Sequence, residues 1–375
     1  MRPSLAQVTL RGWFRLFIPL PSPMFFLGLG TAVPIPRYTQ RACWAAFQQA
    51  EPFASLDARA RALLKKVLLA DNGIAARHLA VDDLASVFDL TPDTLHARFA
   101  RNAPALAAQA AERALAAAEL LPGSIDAVLV STCTGYLCPG LTSYVSERLG
   151  LRRDTLALDL VGQGCGAAVP NLRTAEALLA SRRAETVLSI CVEVCSAAFY
   201  LDNDPGVLIS ACLFGDGAAA AVLSAKPGTH ARRVEWIAAG TTLSPADRDC
   251  LRFEQKDGML RNVLARQVPA LAAKHAEIVL METLERAAVG REQITGWILH
   301  AGGREVLTAL RRRLDLSEAD VSHSAAVLRE YGNVSSPFVL FALQAALAAQ
   351  EPGGRWWLST FGAGFSCHGV LLRVE

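Results

Sequence analysis

Residues 159–179 read DLVGQGCGAAVPNLRTAEALL, and the turn at their centre decides how the rest of the chain is read. An apolar run ends at Gly162, Cys165 stands between Gly164 and Gly166, and helical spacing follows to about Ser181. Glycine on both sides of a residue permits a tight turn and close backbone approach at a strand end. The helix beyond would point its N-terminus at Cys165, where unpaired N–H groups and the dipole favour negative charge. A thiol in that place is suited to be a nucleophile. A buried structural cysteine beside packing glycines accounts for the spacing equally well.

The chain has 375 residues, 52% of them hydrophobic and 19% charged, which suits a compact protein with a large core. A net charge of +2 gives no reason to expect a nucleic-acid partner. Nine cysteines, an odd number scattered without a CxxC pair, fit neither a disulfide scaffold nor a zinc site. No metal and a reducing cytoplasm are the expectations. Residues 1–23 are apolar but interrupted by Arg15 and several prolines, too broken for a spanning helix or stable membrane insertion. Met24 is read as the natural start, with 1–23 as an extension.

CWAAFQQA, ARARALLKKVLLA, APALAAQAAERALAAAELL, LRNVLARQVPALAAKHAEIVLMETLERA and SSPFVLFALQAALAAQ have helical spacing. MFFLGLGTAVP, IDAVLVSTC, LALDLVG, ETVLSICVEVC, GDGAAAAVLSA, VEWIAAGTTL, GWILHAGG, RWWLSTFGAG and HGVLLRVE read as strands, LALDLVG among those expected to be buried on both faces. Strands alternate with helices, so the fold class is α/β in layers. The stretch near residue 228 is the expected junction, giving halves 24–228 and 229–375.

His300 leaves an apolar strand into Gly302–Gly303, and Asn333 follows Gly332 just ahead of a long helix. Each alone has a bland reading: a satisfied histidine and a helix N-cap. Together with Cys165 they supply nucleophile, base and amide donor at three strand-to-helix turns, a set suited to acyl transfer.

At these residues the chain resembles the type III polyketide synthases, the chalcone and stilbene synthase family. GQGCGAA, GWILHAGGREVL and YGNVSSPFVLF match its cysteine, histidine and asparagine motifs; LFGDGAAA, FGAGFS and STCTGYLCPG match three more, in order. The resemblance implies the thiolase fold, two related halves in a five-layered αβαβα unit, and a homodimer. It implies that Cys165 carries the acyl chain, with His300 as an imidazolium paired to its thiolate. His300 and Asn333 would then hold the enolate of decarboxylated malonyl-CoA. Phe214 would be the gatekeeper phenylalanine, and Cys133, Thr134, Asn262, Gly364 and Phe365 pocket residues. Asn262 falls near a second gatekeeper phenylalanine that is missing here, and Cys133 and Cys138 replace a plant threonine and a dimer-crossing methionine. CoA cations would come from Arg59, Lys65 and Lys66, although the alignment there is imperfect and a solvated basic face is the competing reading. No cofactor is implied beyond CoA thioesters, with an acyl-carrier protein as another possible starter donor. The pattern ranks a long fatty acyl starter and an alkylresorcinol or alkylpyrone product first. A malonyl-primed synthase of phloroglucinol or tetrahydroxynaphthalene comes second. A single-condensation β-ketoacyl synthase shares the triad; the FSCHG setting of Cys367 does not match a thiolase.

Overall fold

The computed structural model describes residues 23–229 and 232–375, so the reading of 1–23 as an extension lies, but for Pro23, outside the described residues. The strands are β1 (Met24–Ala32), β2 (Arg37–Thr39), β3 (Ala76–His78), β4 (Ala127–Thr132), β5 (Leu156–Val161), β6 (Thr186–Glu193), β7 (Gly217–Ser224), β8 (Val234–Leu243), β9 (Leu251–Lys256), β10 (Met259–Leu264), β11 (Ile294–Leu299), β12 (Gly354–Gly362) and β13 (Ser366–Val374). The helices are α1 (Gln40–Gln49), α2 (Glu51–Ala54), α3 (Ala58–Leu69), α4 (Pro92–Ala117), α5 (Leu141–Leu149), α6 (Ala168–Ala180), α7 (Pro205–Leu213), α8 (Val268–Ala287), α9 (Arg304–Arg313), α10 (Ser322–Tyr331) and α11 (Phe338–Ala348). Among the described residues no helix is long and apolar enough to cross a membrane.

Nine strands join in the order β11-β12-β13-β8-β1-β7-β6-β4-β5. The same pattern occurs twice. β1 pairs antiparallel with β7, β7 antiparallel with β6, and β6 parallel with β4. Likewise β8 pairs antiparallel with β13, β13 antiparallel with β12, and β12 parallel with β11. A short ladder, Met24–Phe26 against Val234–Trp236, links the two sets. Helix α4 packs on β1, β6 and β7, and α8 on β8 and β13. Helices α6 and α11 touch strands of both sets, which makes them the inner layer of a helix–sheet–helix–sheet–helix stack.

The sequence explains the close fits. β4 and β7 are buried at every residue and therefore read as unbroken runs of small and branched side chains. β1 lies so near α4 that a Cβ at Gly28 would come 2.3 Å from the Ala114 carbonyl, and Ala110, Ala111 and Ala114 on the facing side of α4 are fully buried.

Two expectations need correction. LRNVL, taken as the start of a long helix, is strand β10, paired with β9 in a separate hairpin; the helix begins only at Val268, with Pro269 in its first turn. The hairpin wins because Asp257 and Gly258 both have positive φ, which makes the tight turn between the strands. β5 is not buried on both faces: it is the edge strand, and Leu156, Leu158 and Val161 are exposed.

Candidate active site

The cysteine turn is a single 3₁₀ turn, Gly164–Gly166, between β5 and α6. Gly164 has φ +55°, which only glycine adopts freely, and a Cβ there would sit 3.1 Å from the Ala363 nitrogen. Consecutive residues of β12 hold two of the three motifs together. Thr360 Oγ1 donates to the Gly166 carbonyl at 3.1 Å, and the His300 N–H donates to the Ser359 carbonyl at 2.9 Å.

Asn333 is pinned from four sides. Its N–H donates to the Leu213 carbonyl at 2.9 Å and its carbonyl accepts from the Gly215 N–H at 3.1 Å, clasping Phe214 between. Its side-chain Nδ2 donates to the Gly302 carbonyl at 3.1 Å, and Oδ1 accepts from the Ser335 N–H at 2.9 Å. Gly332 takes φ +69°, and a Cβ there would press to 2.6 Å from the Leu213 carbonyl. Asn333 is therefore no N-cap; Pro337 stands at that position of α11, and Asn333 ties the histidine and Phe214 turns together instead.

Ser335 brings this loop to the nucleophile: its Oγ donates to Cys165 Sγ at 3.2 Å. Cys165, Cys133, Thr134, Phe214 and Asn262 line one largely apolar cavity of about 60 Å³. Asn262 accepts from Ser210 Oγ at 2.7 Å. His300 is 1% exposed behind this wall, edge-on to Phe338 and Phe361 with centroids 5.1 and 4.9 Å away. Neither of its ring nitrogens has a hydrogen-bond partner among the described residues.

Burial sets the protonation states. It pushes the Cys165 thiol up to about 12, against the opposing pull of the Ser335 hydroxyl, and drives the His300 imidazole down to about 3. Burial thus works against the imidazolium–thiolate pair expected from the sequence, a cost that the attraction between the two charges would have to offset. An apolar box of phenylalanines solvates neither charge.

Other expected residues lie elsewhere. Gly364 and Phe365 do not line the cavity; Ala363 does, while Phe365 is buried against Phe361 and His275. Arg59, Lys65 and Lys66 are exposed on α3 and do not line the cavity. Cys138 is exposed on the loop that follows β4.

Two residues were missed. Glu193 is fully buried at the end of β6 and gathers donors from both sides of the cavity. They are Cys133 N–H at 3.0 Å, Cys133 Sγ at 3.3 Å, Thr134 Oγ1 at 2.9 Å and Ser336 Oγ at 2.5 Å. Burial raises its carboxyl above the usual range, and these hydrogen bonds oppose the rise. Ser335 Oγ, at 3.4 Å from Glu193 Oε1, has one proton to share between this carboxyl and Cys165. The signal was present: a glutamate inside the apolar run ETVLSICVEVC has no place in a doubly covered strand unless donors await it.

Residues 40–272 match the family described as FAE1/Type III polyketide synthase-like protein, and residues 237–374 the C-terminal domain of chalcone and stilbene synthases. A 3,5-dihydroxyphenylacetyl-CoA synthase of Streptomyces toyocaensis is 28% identical over 368 residues, 95% of this chain and 91% of the relative. A 1,3,6,8-tetrahydroxynaphthalene synthase of Streptomyces peucetius subsp. caesius is 31% identical over 84% of both chains. Among solved structures, PKS-I of the brown alga Ectocarpus siliculosus superposes with a TM-score of 0.86 at 27% identity, covering 94% of this chain and 98% of that one. The tetrahydroxynaphthalene synthase of Streptomyces coelicolor A3(2) gives 0.84 at 26% identity, covering 94% and 99%. With its cysteine, histidine and asparagine turns meeting on this fold, the chain belongs to the type III polyketide synthase family.

Proposed function

We propose that this enzyme condenses malonyl units onto a short acyl group carried by Cys165, and that malonyl-CoA itself supplies the starter. The observation that carries the proposal is that hydrogen bonds through Ser335, Gly302 and β12 tie the His300 and Asn333 turns to the Cys165 turn, behind a largely apolar cavity that Cys165 and Phe214 line. In the first step Cys165 attacks the thioester carbonyl while His300 accepts the thiol proton; the C–S bond to CoA breaks and CoA leaves with that proton. Malonyl-CoA then loses CO2, and the electron pair of the broken C–C bond stays as an enolate. Asn333 Nδ2 has a second hydrogen beyond the one given to Gly302, and His300 Nε2 can donate beside it to the enolate oxygen. The enolate carbon attacks the Cys165 thioester, the C–S bond breaks, and the chain grows by two carbons. Phe214 lends an apolar wall that favours release of a charged carboxylate as neutral CO2.

The sequence pattern put a long fatty starter first; the relatives favour the second reading. The cited curated relatives are synthases of 3,5-dihydroxyphenylacetyl-CoA and 1,3,6,8-tetrahydroxynaphthalene. A small aromatic product built from malonyl units fits better than an alkylresorcinol.

The division near residue 228 and the cytoplasmic setting belong to the same reading, as does a homodimer. The unpaired β5 edge with Leu156, Leu158 and Val161 exposed suits pairing with a second copy. The test is product mass: malonyl-CoA alone gives the major product, and adding a long-chain acyl-CoA does not displace it. A long-chain alkyl product as the main species overturns the starter assignment.

A further inference from the structure

Arg77 closes the wall of the same cavity and has no part in the chemistry above. It sits in β3, is 3% exposed and borders the space that Cys165 and Phe214 border. Its Nε donates to Gln40 Oε1 at 3.1 Å, and its Nη1 to the carbonyls of Ala211 and Phe214 at 2.8 and 2.9 Å. Gln40 is itself buried and fixed by donating to the Cys212 carbonyl at 2.9 Å. The guanidinium is therefore held rigid by neutral acceptors. Among the described residues no carboxylate pairs with it, although the other buried arginine nearby, Arg98, feels Asp216 and Asp89. Nη2 has no acceptor among the described residues, and Arg77 is one of the residues that line the cavity.

A buried cation without a counter-charge is costly, and one that lines a substrate cavity with a donor unused is matched to an anion. The guanidinium plane suits a carboxylate, which can accept two parallel hydrogen bonds. A chain primed by acetyl or a fatty acyl group carries no carboxylate at its far end. A chain primed by malonyl does.

We propose that Arg77 forms a carboxylate subsite that holds the free acid of a malonyl starter bound through its thioester to Cys165. This rests on the malonyl-primed reading. It also answers a difficulty of that reading: starter and extender are the same group, yet only the extender is to lose CO2 at once. Pairing with Arg77 stabilises the carboxylate relative to departing CO2, whereas the apolar wall of Phe214 does the opposite. Position in the cavity thus decides which malonyl group keeps its acid.

The test is protection of Cys165 in the full-length protein from iodoacetamide, read by peptide mass. Monomethyl malonate is compared with methyl acetoacetate, its near-isostere with a methyl ketone in place of the carboxylate. The wild type is expected to be protected by the carboxylate at concentrations at least about tenfold lower than by the ketone. Arg77→Gln should erase that difference, and Arg77→Lys should keep part of it. Equal protection by the two ligands in the wild type overturns the proposal, as does a tenfold preference that survives in Arg77→Gln. Should Arg77→Gln fail to fold, the wild-type comparison and the lysine variant still decide. Turnover is scored separately. Loss of product from malonyl-CoA alone in the wild type removes the priming reading but leaves the protection result standing. Unchanged malonyl-primed product in a folded Arg77→Gln removes the Arg77 assignment alone.

Discussion

Replacing Asn333 by aspartate exchanges one heavy atom, the amide nitrogen for an oxygen, and asks whether the amide donor matters. In the native loop Oδ1 accepts from the Ser335 N–H at 2.9 Å, a contact aspartate retains. The other atom, Nδ2, lies 3.1 Å from the Gly302 carbonyl. An aspartate oxygen there faces another oxygen and must either hold a proton or push the two turns apart, in a site only 2% exposed. Leaving the Gly302 carbonyl without its donor costs stability of about 1–3 kcal/mol. The catalytic loss is separate. The donor to the developing enolate is gone, typically worth about 3 kcal/mol of barrier, or about two orders of magnitude in rate. A carboxylate in its place adds repulsion. The assay is malonyl-CoA decarboxylation followed by release of CO2, which needs no starter. Asn333→Asp should fall at least about 100-fold in kcat while acylation of Cys165 continues. A folded variant within about tenfold of wild type would refute the donor role.

Three further outcomes are expected. Ser335→Ala removes the hydroxyl that stabilises the Cys165 thiolate; alkylation of Cys165 at neutral pH should slow by about three- to tenfold, the worth of one modest hydrogen bond, and an unchanged rate would show that Ser335 serves Glu193 instead. His300, held near 3 when folded against an ordinary value near 6.5, stays neutral while the unfolded chain takes up a proton. Stability should therefore fall as pH drops below about 6.5, by roughly 3 kcal/mol at pH 4.5 from this group alone, with His368 (lowered to about 4 by burial) adding to the slope; His300→Gln should flatten it in denaturant titrations, and an equal slope in both proteins would contradict the burial argument. On the proposed β5 dimer contact, Leu158→Glu on that exposed edge should lower the sedimentation coefficient without unfolding the chain, and an unaltered coefficient would contradict the contact.

The chemistry was more legible than the packing. Cys165 and His300 could be found because each combines a reactive side chain with glycine at a strand end, a local pattern; Asn333, also read as a strand-to-helix turn, instead follows Gly332 between α10 and α11 and has only a single bridge to Phe214. The strands of the large sheet were legible for the same reason, since GAAAAVLS and AVLVST are uniformly buried and uniformly apolar. Position in the sheet is not local. Nothing within LALDLV says that it forms an edge, because its exposed face suits pairing with another chain as well as burial. Residues 260–264 carry both periods, and the turn at Asp257–Gly258 decides between them. The cost of charging His300 was hidden for a similar reason: the phenylalanines around its ring arrive from 338 and 361, far along the chain. Glu193 needed only the question of why a carboxyl stands in an apolar strand. Its partners at 133, 134 and 336 could not be named without the fold.

The most direct measurement is trapping of the acyl intermediate. The purified enzyme is mixed with malonyl-CoA, quenched in acid within milliseconds and digested, and the peptide masses are read. Acyl mass should appear on the peptide that contains Cys165, growing in two-carbon steps, and should be absent from Cys165→Ala together with all condensed product. Acyl mass on another cysteine, or product formed by Cys165→Ala, would contradict the account.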